Sequence, residues 1–273
     1  MRTKPLAPRL HRDNSFNGVQ TATQTGNTVS GATVTSVTQT INSPFGNHNN
    51  QNSGQTGNAG SSVNQRIGAA APGTAVFTNN AQQATQSGQT LSHIDQLIDG
   101  AGTATYNGNS QNASETGVGA GNSVSQTILS SNKDTQTANI TGISYSNQIT
   151  QLQQTGSHDE TQSASINNGS GNLVDQLQAA GSHNNSQTVV VDASSIGRAL
   201  QFQGAAASGN VETISQTGGG VLNQAGQAQA GTGNVASISQ AGGFHNMAVQ
   251  NQGLLVGDPG SMSISGGLVV RHP

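Results

Sequence analysis

The chain has 273 residues, of which 31% are hydrophobic, 3% aromatic and 7% charged, with a formal net charge of -3. So few apolar side chains exclude an ordinary globular core, while so small a net charge sets the chain apart from typical disordered sequences, leaving Gln, Asn, Ser, Thr and Gly to define it. The absence of cysteine excludes a disulfide scaffold and thiol chemistry, and no run approaches the roughly 18 apolar residues of a membrane span.

Residues 1–34 open with Arg2, Lys4, Arg9 and Arg12, half of the basic residues, and lack the pattern that follows, so they are expected to form a flexible segment. No apolar stretch follows these charges as it would in a secretory signal. From residue 35 an apolar side chain stands two places before a glutamine, at Val37/Gln39, Val63/Gln65, Ile94/Gln96, Val124/Gln126, Ile149/Gln151, Val174/Gln176, Ile214/Gln216 and Ile238/Gln240. Gln201 follows Ala199 in the same way. The steps from Gln39 are 26, 31, 30, 25, 25 and 25, then an irregular 15, then 24.

Asn42–Gly60, with Pro44, reads as a loop or a decayed layer, and Ala69–Gly73 as a second interruption. Two longer copies fix the period. Gln151-Leu152-Gln153 through Gly156-Ser157-His158 recurs as Gln176-Leu177-Gln178 through Gly181-Ser182-His183 at an offset of 25, and Gly209–Gly218 recurs as Gly233–Gly242 at an offset of 24. Residues 254–273 carry the turn signal Asp258-Pro259-Gly260 and then the strand-like Met262–Ile264 and Leu268–Val270, and are expected to form a capping segment.

A repeat near 25 residues is too small to bury a core alone and must stack on its copies. Within it, side chains two apart share one face of a strand, which places Ala236, Ile238 and Gln240 inward and Ser237 and Ser239 outward. Asn246, Ala248, Gln250 and Gln252 alternate in the same way after a Gly242-Gly243 turn, so each unit is strand, turn, strand, turn. The fold class is therefore all-β: a parallel two-sheet β-solenoid over residues 35–253, of eight or nine layers about 4.8 Å apart. Inward amides are costly unless paired, and a stack pairs each with its copy, so Gln96, Gln126, Gln151 and Gln176 should form a ladder, with Gln201 in the same style. The sparse, non-repeating acids Asp95, Asp134, Asp175 and Glu212 read either as gatekeepers that slow uncontrolled assembly or as scattered surface charge.

The segments Gln240-x-Gly242-x3-Asn246-x-Ala248-x3-Gln252 and Gln216-x-Gly218-x4-Asn223-x-Ala225-x3-Gln229 resemble the curlin repeat, the unit of bacterial curli fibre subunits. The resemblance implies a secreted subunit that passes an outer-membrane pore unfolded and polymerises with copies of itself, or on a nucleator subunit, into functional amyloid of an extracellular biofilm matrix. It also implies that Gln216, Asn223, Gln229, Gln240, Asn246 and Gln252 are ladder residues.

No nucleophile elbow, phosphate loop, zinc-protease helix or calcium repeat occurs, so no enzyme activity, cofactor or metal is expected. His158 and His183 fall in adjacent layers, and duplication of a turn residue accounts for them without a metal. Eight basic residues and few aromatics do not make a nucleic-acid surface. The competing function is a monomeric β-solenoid that binds ice or polysaccharide through an outward Thr-x-Thr array. Thr33/Thr35, Thr103/Thr105 and Thr135/Thr137 occur, but not at the layer period.

Overall fold

The computed structural model describes residues 9–13, 18–26, 35–42, 46–68, 75–100, 105–252, 259–264 and 268–271. They form a parallel β-solenoid in which successive strands alternate between two facing eleven-stranded sheets. The first sheet stacks, in order, Arg9–Asp13, Ser36–Asn42, Ser62–Gly68, His93–Asp99, Ser123–Leu129, Gln148–Gln153, Leu173–Gln178, Arg198–Gln203, Gln224–Gln229, Met247–Gln252 and Leu268–Arg271. The second stacks Val19–Thr25, Asn50–Thr56, Ala81–Thr90, Ser110–Ala120, Thr135–Thr141, Thr161–Asn167, Ser186–Asp192, Val211–Thr217, Val235–Ala241 and Pro259–Ile264, with the short strand Ser144–Tyr145 beside Ser110–Ala120. Besides the short Ser144–Tyr145, eight strands of the second sheet and nine of the first begin within residues 35–253, and the coils keep one register apart from a shift between Thr116 and Gly119.

The inward assignment holds: Ala236, Ile238, Gln240, Asn246, Ala248, Gln250 and Gln252 are all buried. A continuous apolar spine runs between the walls, built from one column per sheet, such as Val124, Ile149 and Val174 facing Ala138, Ala164 and Val189. The first-sheet column is the larger up to Val174 and then falls to Ala199, Ala225 and Ala248, where the second-sheet column grows to Ile214 and Ile238, so bulk in one wall is matched by small residues in the other. The longer steps of 31 and 30 have a separate cause. Those coils add a third wall, Val76–Thr78 paired with Thr105–Asn107, and bury Phe77 against Tyr106 at a ring separation of 5.2 Å. These rings cover Ile67, Ile98 and Ile128 in a second apolar cluster.

The interval read as a loop contains the strand Asn50–Thr56, which has no apolar side chain yet buries Gln51, Ser53 and Gln55. Two strands also fall within the 1–34 segment expected to be flexible: Val19–Thr25 pairs with Asn50–Thr56, and Arg9–Asp13 with Ser36–Asn42. Ala69–Gly73 and Asp258 lie outside the described residues, while Pro259 and Gly260, read as a turn, begin a strand that pairs with Val235–Ala241. Leu268–Arg271 pairs with Met247–Gln252, so the tail extends both sheets.

Turns stack as strictly as strands. The residue two places before each second-sheet strand is left-handed in six successive coils: Gly108 at φ 72°, Lys133 at 58°, Asp159 at 58°, Asn184 at 56°, Gly209 at 64° and Gly233 at 70°. A β-carbon on Gly209 would have open space, its nearest neighbour being the Gly233 nitrogen at 4.0 Å. Its φ alone therefore makes it intolerant of β-branching. Gly209→Val should lower stability by about 1–2 kcal/mol, read as a fall in urea midpoint at unchanged m-value, whereas a midpoint matching wild type would show that the turn column is not constrained.

Candidate functional site: the buried amide ladders

Inward glutamines arise because strand alternation aims them between the sheets, and the identical register of each coil sets like on like. In the first sheet one unbroken ladder runs Gln39, Gln65, Gln96, Gln126, Gln151, Gln176, Gln201 and Gln227. Each Nε2 donates to the next Oε1 at 2.7, 2.8, 2.7, 2.8, 2.7, 2.8 and 3.0 Å in turn. The second N–H crosses to the opposite sheet in every member from Gln39 to Gln201, whereas the Gln227 amide nitrogen has no partner among the described residues. Gln126 donates to the Asn112 carbonyl at 3.1 Å, Gln151 to Thr137 at 3.0 Å and Gln176 to Ser163 at 3.1 Å. Both amide protons and the oxygen are thus satisfied in each member from Gln65 to Gln201, while the Gln39 oxygen and the Gln227 nitrogen at the two ends are not. One side chain type binds layer to layer and wall to wall.

The second sheet mirrors this with Gln20, Gln51, Gln82, Gln111, Gln136, Gln162 and Gln187, at 2.8–2.9 Å per step. Its amides cross back to first-sheet carbonyls, such as Gln136 to Thr127 at 3.0 Å. Sequence reasoning missed this ladder, although its signal was present: an Asn or acid stands two places before the glutamine at Asn49/Gln51, Asn80/Gln82, Asn109/Gln111, Asp134/Gln136, Glu160/Gln162 and Asn185/Gln187.

The eleven expected ladder residues separate into four columns. Gln96, Gln126, Gln151, Gln176 and Gln201 share the first-sheet ladder. Gln216 and Gln240 do not continue it: they lie in the second sheet and pair with each other at 2.8 Å. The irregular step of 15 is therefore a change of wall, and Gln227 and Gln250 are the true continuation of the Gln201 column. Gln229 donates to Gln252 in a third column, in register with Gln153, Gln178 and Gln203. Asn223 and Asn246 occupy a turn column with Asn122, Asn147 and Asn172. There each side-chain oxygen accepts the backbone N–H one layer on, at 3.1 Å from Asn147 to Asn122, 3.0 Å from Asn172 to Asn147 and 3.3 Å from Asn246 to Asn223.

Two of the supposed surface acids are buried, which corrects the gatekeeper reading for them; Asp95 and Asp175 do lie on the outer face of the first sheet. Glu212 ends the second-sheet ladder, accepting from Gln187 at 2.9 Å with Ala236 as its successor. Glu115 ends a parallel column in the same manner, accepting from Gln86 at 2.8 Å with Ile140 as its successor. An amide at either position would hold an N–H out towards an apolar layer. A neutral carboxyl has one proton fewer to place.

Asp134 and Glu160 sit in the turn column before the second-sheet strands. Asp134 accepts the Glu160 backbone N–H at 3.0 Å and the Ser157 hydroxyl at 2.8 Å. Burial raises all four carboxyls, Glu115 and Glu160 to about 8 and Glu212 well above its ordinary value. The Asp134 charge adds to the rise at Glu160. His158 and His183 stack at a ring separation of 5.1 Å on the exposed edge of this turn, with Asp159 at 3.3 Å from His158.

No protein-family model matches the chain, and no curated protein matches it.

Two outcomes follow from these columns. Gln151→Ala strands the Gln126 donor and the Gln176 acceptor, and at about 1–3 kcal/mol per orphaned buried group it should cost roughly 2–6 kcal/mol; outward Thr150→Ala should stay within about 0.5 kcal/mol. A chemical-denaturation comparison showing equal losses would refute the ladder's role. For pH, the folded Glu115 and Glu160 bind protons more tightly than the unfolded groups at 4.5. The stability these two groups contribute should be greatest below about pH 4.5, fall steadily towards pH 8 and level off beyond it. Glu115→Gln should flatten that slope, as read from denaturation midpoints between pH 4 and pH 9.

Proposed function

We propose that this chain is a self-assembling structural protein, a curli-like functional amyloid subunit or nucleator that grows by templated stacking of parallel strands. The observation that supports the reading is the in-register repetition of backbone and side-chain ladders through both sheets, with parallel pairing carried to the outermost described strands. Among the described residues, Val19–Thr25 pairs only with Asn50–Thr56 at one end of the second sheet, and Pro259–Ile264 only with Val235–Ala241 at the other. An edge of this kind orders an incoming strand through unpaired N–H and C=O groups. The curlin-like spacing from Gln216 to Gln252 adds the cellular setting: an extracellular fibre at the cell surface, in a biofilm matrix, delivered by an outer-membrane pore, with self as the principal partner. In this reading the chain has no catalytic centre and needs no cofactor.

A second reading, a monomeric module that binds a flat polysaccharide or ice surface, is favoured by one observation. Thr137, Ser163, Thr188, Thr213 and Ser237 occupy one outward column of the second sheet at the layer period. The hydroxyl array absent from the Thr-x-Thr count is thus present once Ser is included.

Dilution of unfolded chain into neutral buffer separates the two. Assembly predicts thioflavin-positive, unbranched fibres with reflections near about 4.7 and 10 Å, whose sonicated ends abolish the lag of fresh monomer. A persistent soluble monomer with β circular dichroism that is retained on insoluble glycan or depresses freezing would replace assembly with the binding reading.

A further inference from the structure

The two outer faces of the solenoid differ. Against the hydroxyl face of the second sheet, the first sheet carries an apolar stripe in which Leu152, Leu177 and Phe202 stand in register on consecutive layers, with Leu200 beside them. Phe202 is 43% exposed, although its inward neighbours Gln201 and Gln203 are fully enclosed. An aromatic ring held out on a flat sheet, continuous with Leu177 on one layer and Ala228 on the other, exceeds the scattered apolar exposure of ordinary surfaces.

Charge on this face is equally specific. Across the first-sheet strands from Ser123 to Gln252, the outward positions hold one acid, Asp175, and one base, Arg198. They lie on successive layers, Asp175 aligned with Leu200 and Arg198 with Leu173, and border the stripe. Neither forms an ion pair within the described residues. Both groups lie on the same side of the apolar column, Asp175 one outward position from it and Arg198 two, on the layers of Leu177 and Phe202. A two-fold axis in the plane of the face, parallel to the strands and midway between these layers, sets Leu177 opposite the other copy's Phe202 and each Asp175 beside the other copy's Arg198.

We propose that this face is the contact between two copies of the chain, packed first sheet to first sheet across the Leu152–Leu177–Phe202 stripe and oriented by reciprocal Asp175–Arg198 pairs. The contact is sideways, perpendicular to the stacking direction, and does not depend on end-to-end growth. Apolar burial supplies the affinity; the exposed ion pairs contribute little energy each and fix the orientation. The hydroxyl face then remains outward on both copies.

The test is a charge swap in the full chain, read by sedimentation velocity on the soluble form at micromolar concentration, with circular dichroism confirming the fold of each variant. Wild type should sediment as a dimer. D175R sets Arg against Arg, and R198D sets Asp against Asp, so each alone should weaken pairing by about tenfold or more. D175R/R198D should return to within about threefold of wild type, and Phe202→Ser should abolish pairing with charges intact. A wild-type monomer, single variants that pair like wild type, or a folded double variant that does not recover would each overturn the proposal. Fibres grown from copies that never pair would overturn it and leave the stacking reading standing; stable pairs that never grow fibres would do the reverse.

Discussion

Everything in this molecule depends on placing buried glutamine amides where each meets its own copy about 4.8 Å away. A two-walled coil of about 26 residues has room inside for few side chains per layer, and in this chain many of them are polar. Such an interior is unstable in one layer and satisfied in a stack, because Gln151 accepts from Gln126, donates to Gln176 and still reaches across to Thr137. Stacking therefore supplies both the satisfaction of buried polar groups and the register. A slip of one residue would turn the whole amide column outward.

The acids refine this logic. Glu115 and Glu212 stand where a column changes from amide to aliphatic, at Ile140 and Ala236. They are the positions at which the repeat stops copying itself. Carrying raised pKa values, they tie the stability of the stack to proton concentration with no buried histidine among the described residues. Asp134 and Glu160, adjacent in the turn column, repel if both ionise, which strengthens the same coupling.

Much of the fold was legible in the sequence. The period, the inward face of Ala236-Ser237-Ile238-Ser239-Gln240 and the ladder from Gln96 to Gln201 follow from spacing alone, since strand alternation is a period of two. What spacing could not separate was the two walls. Both use an apolar residue two places before a glutamine, as in Ile214/Gln216 of the second sheet and Ala225/Gln227 of the first, so a change of wall looked like an irregular step. The strand Asn50–Thr56 was hidden for a related reason: searching by apolar residues misses a strand whose buried members are Gln51, Ser53 and Gln55. Glu212 and Asp134 were misplaced because isolated carboxylates are normally exposed, a rule that fails where a column of amides already supplies donors.

The most direct measurement of the central claim is hydrogen exchange at the glutamine side-chain amides, resolved by NMR on the folded chain with selective glutamine labelling. The account predicts slow exchange of both amide protons at Gln126, Gln151 and Gln176, comparable to their backbone N–H groups, and fast exchange at the outward Gln148 and Gln224. Fast exchange at all of them, in a chain that retains its β structure, would show that the interior is held without amide ladders and would contradict the account.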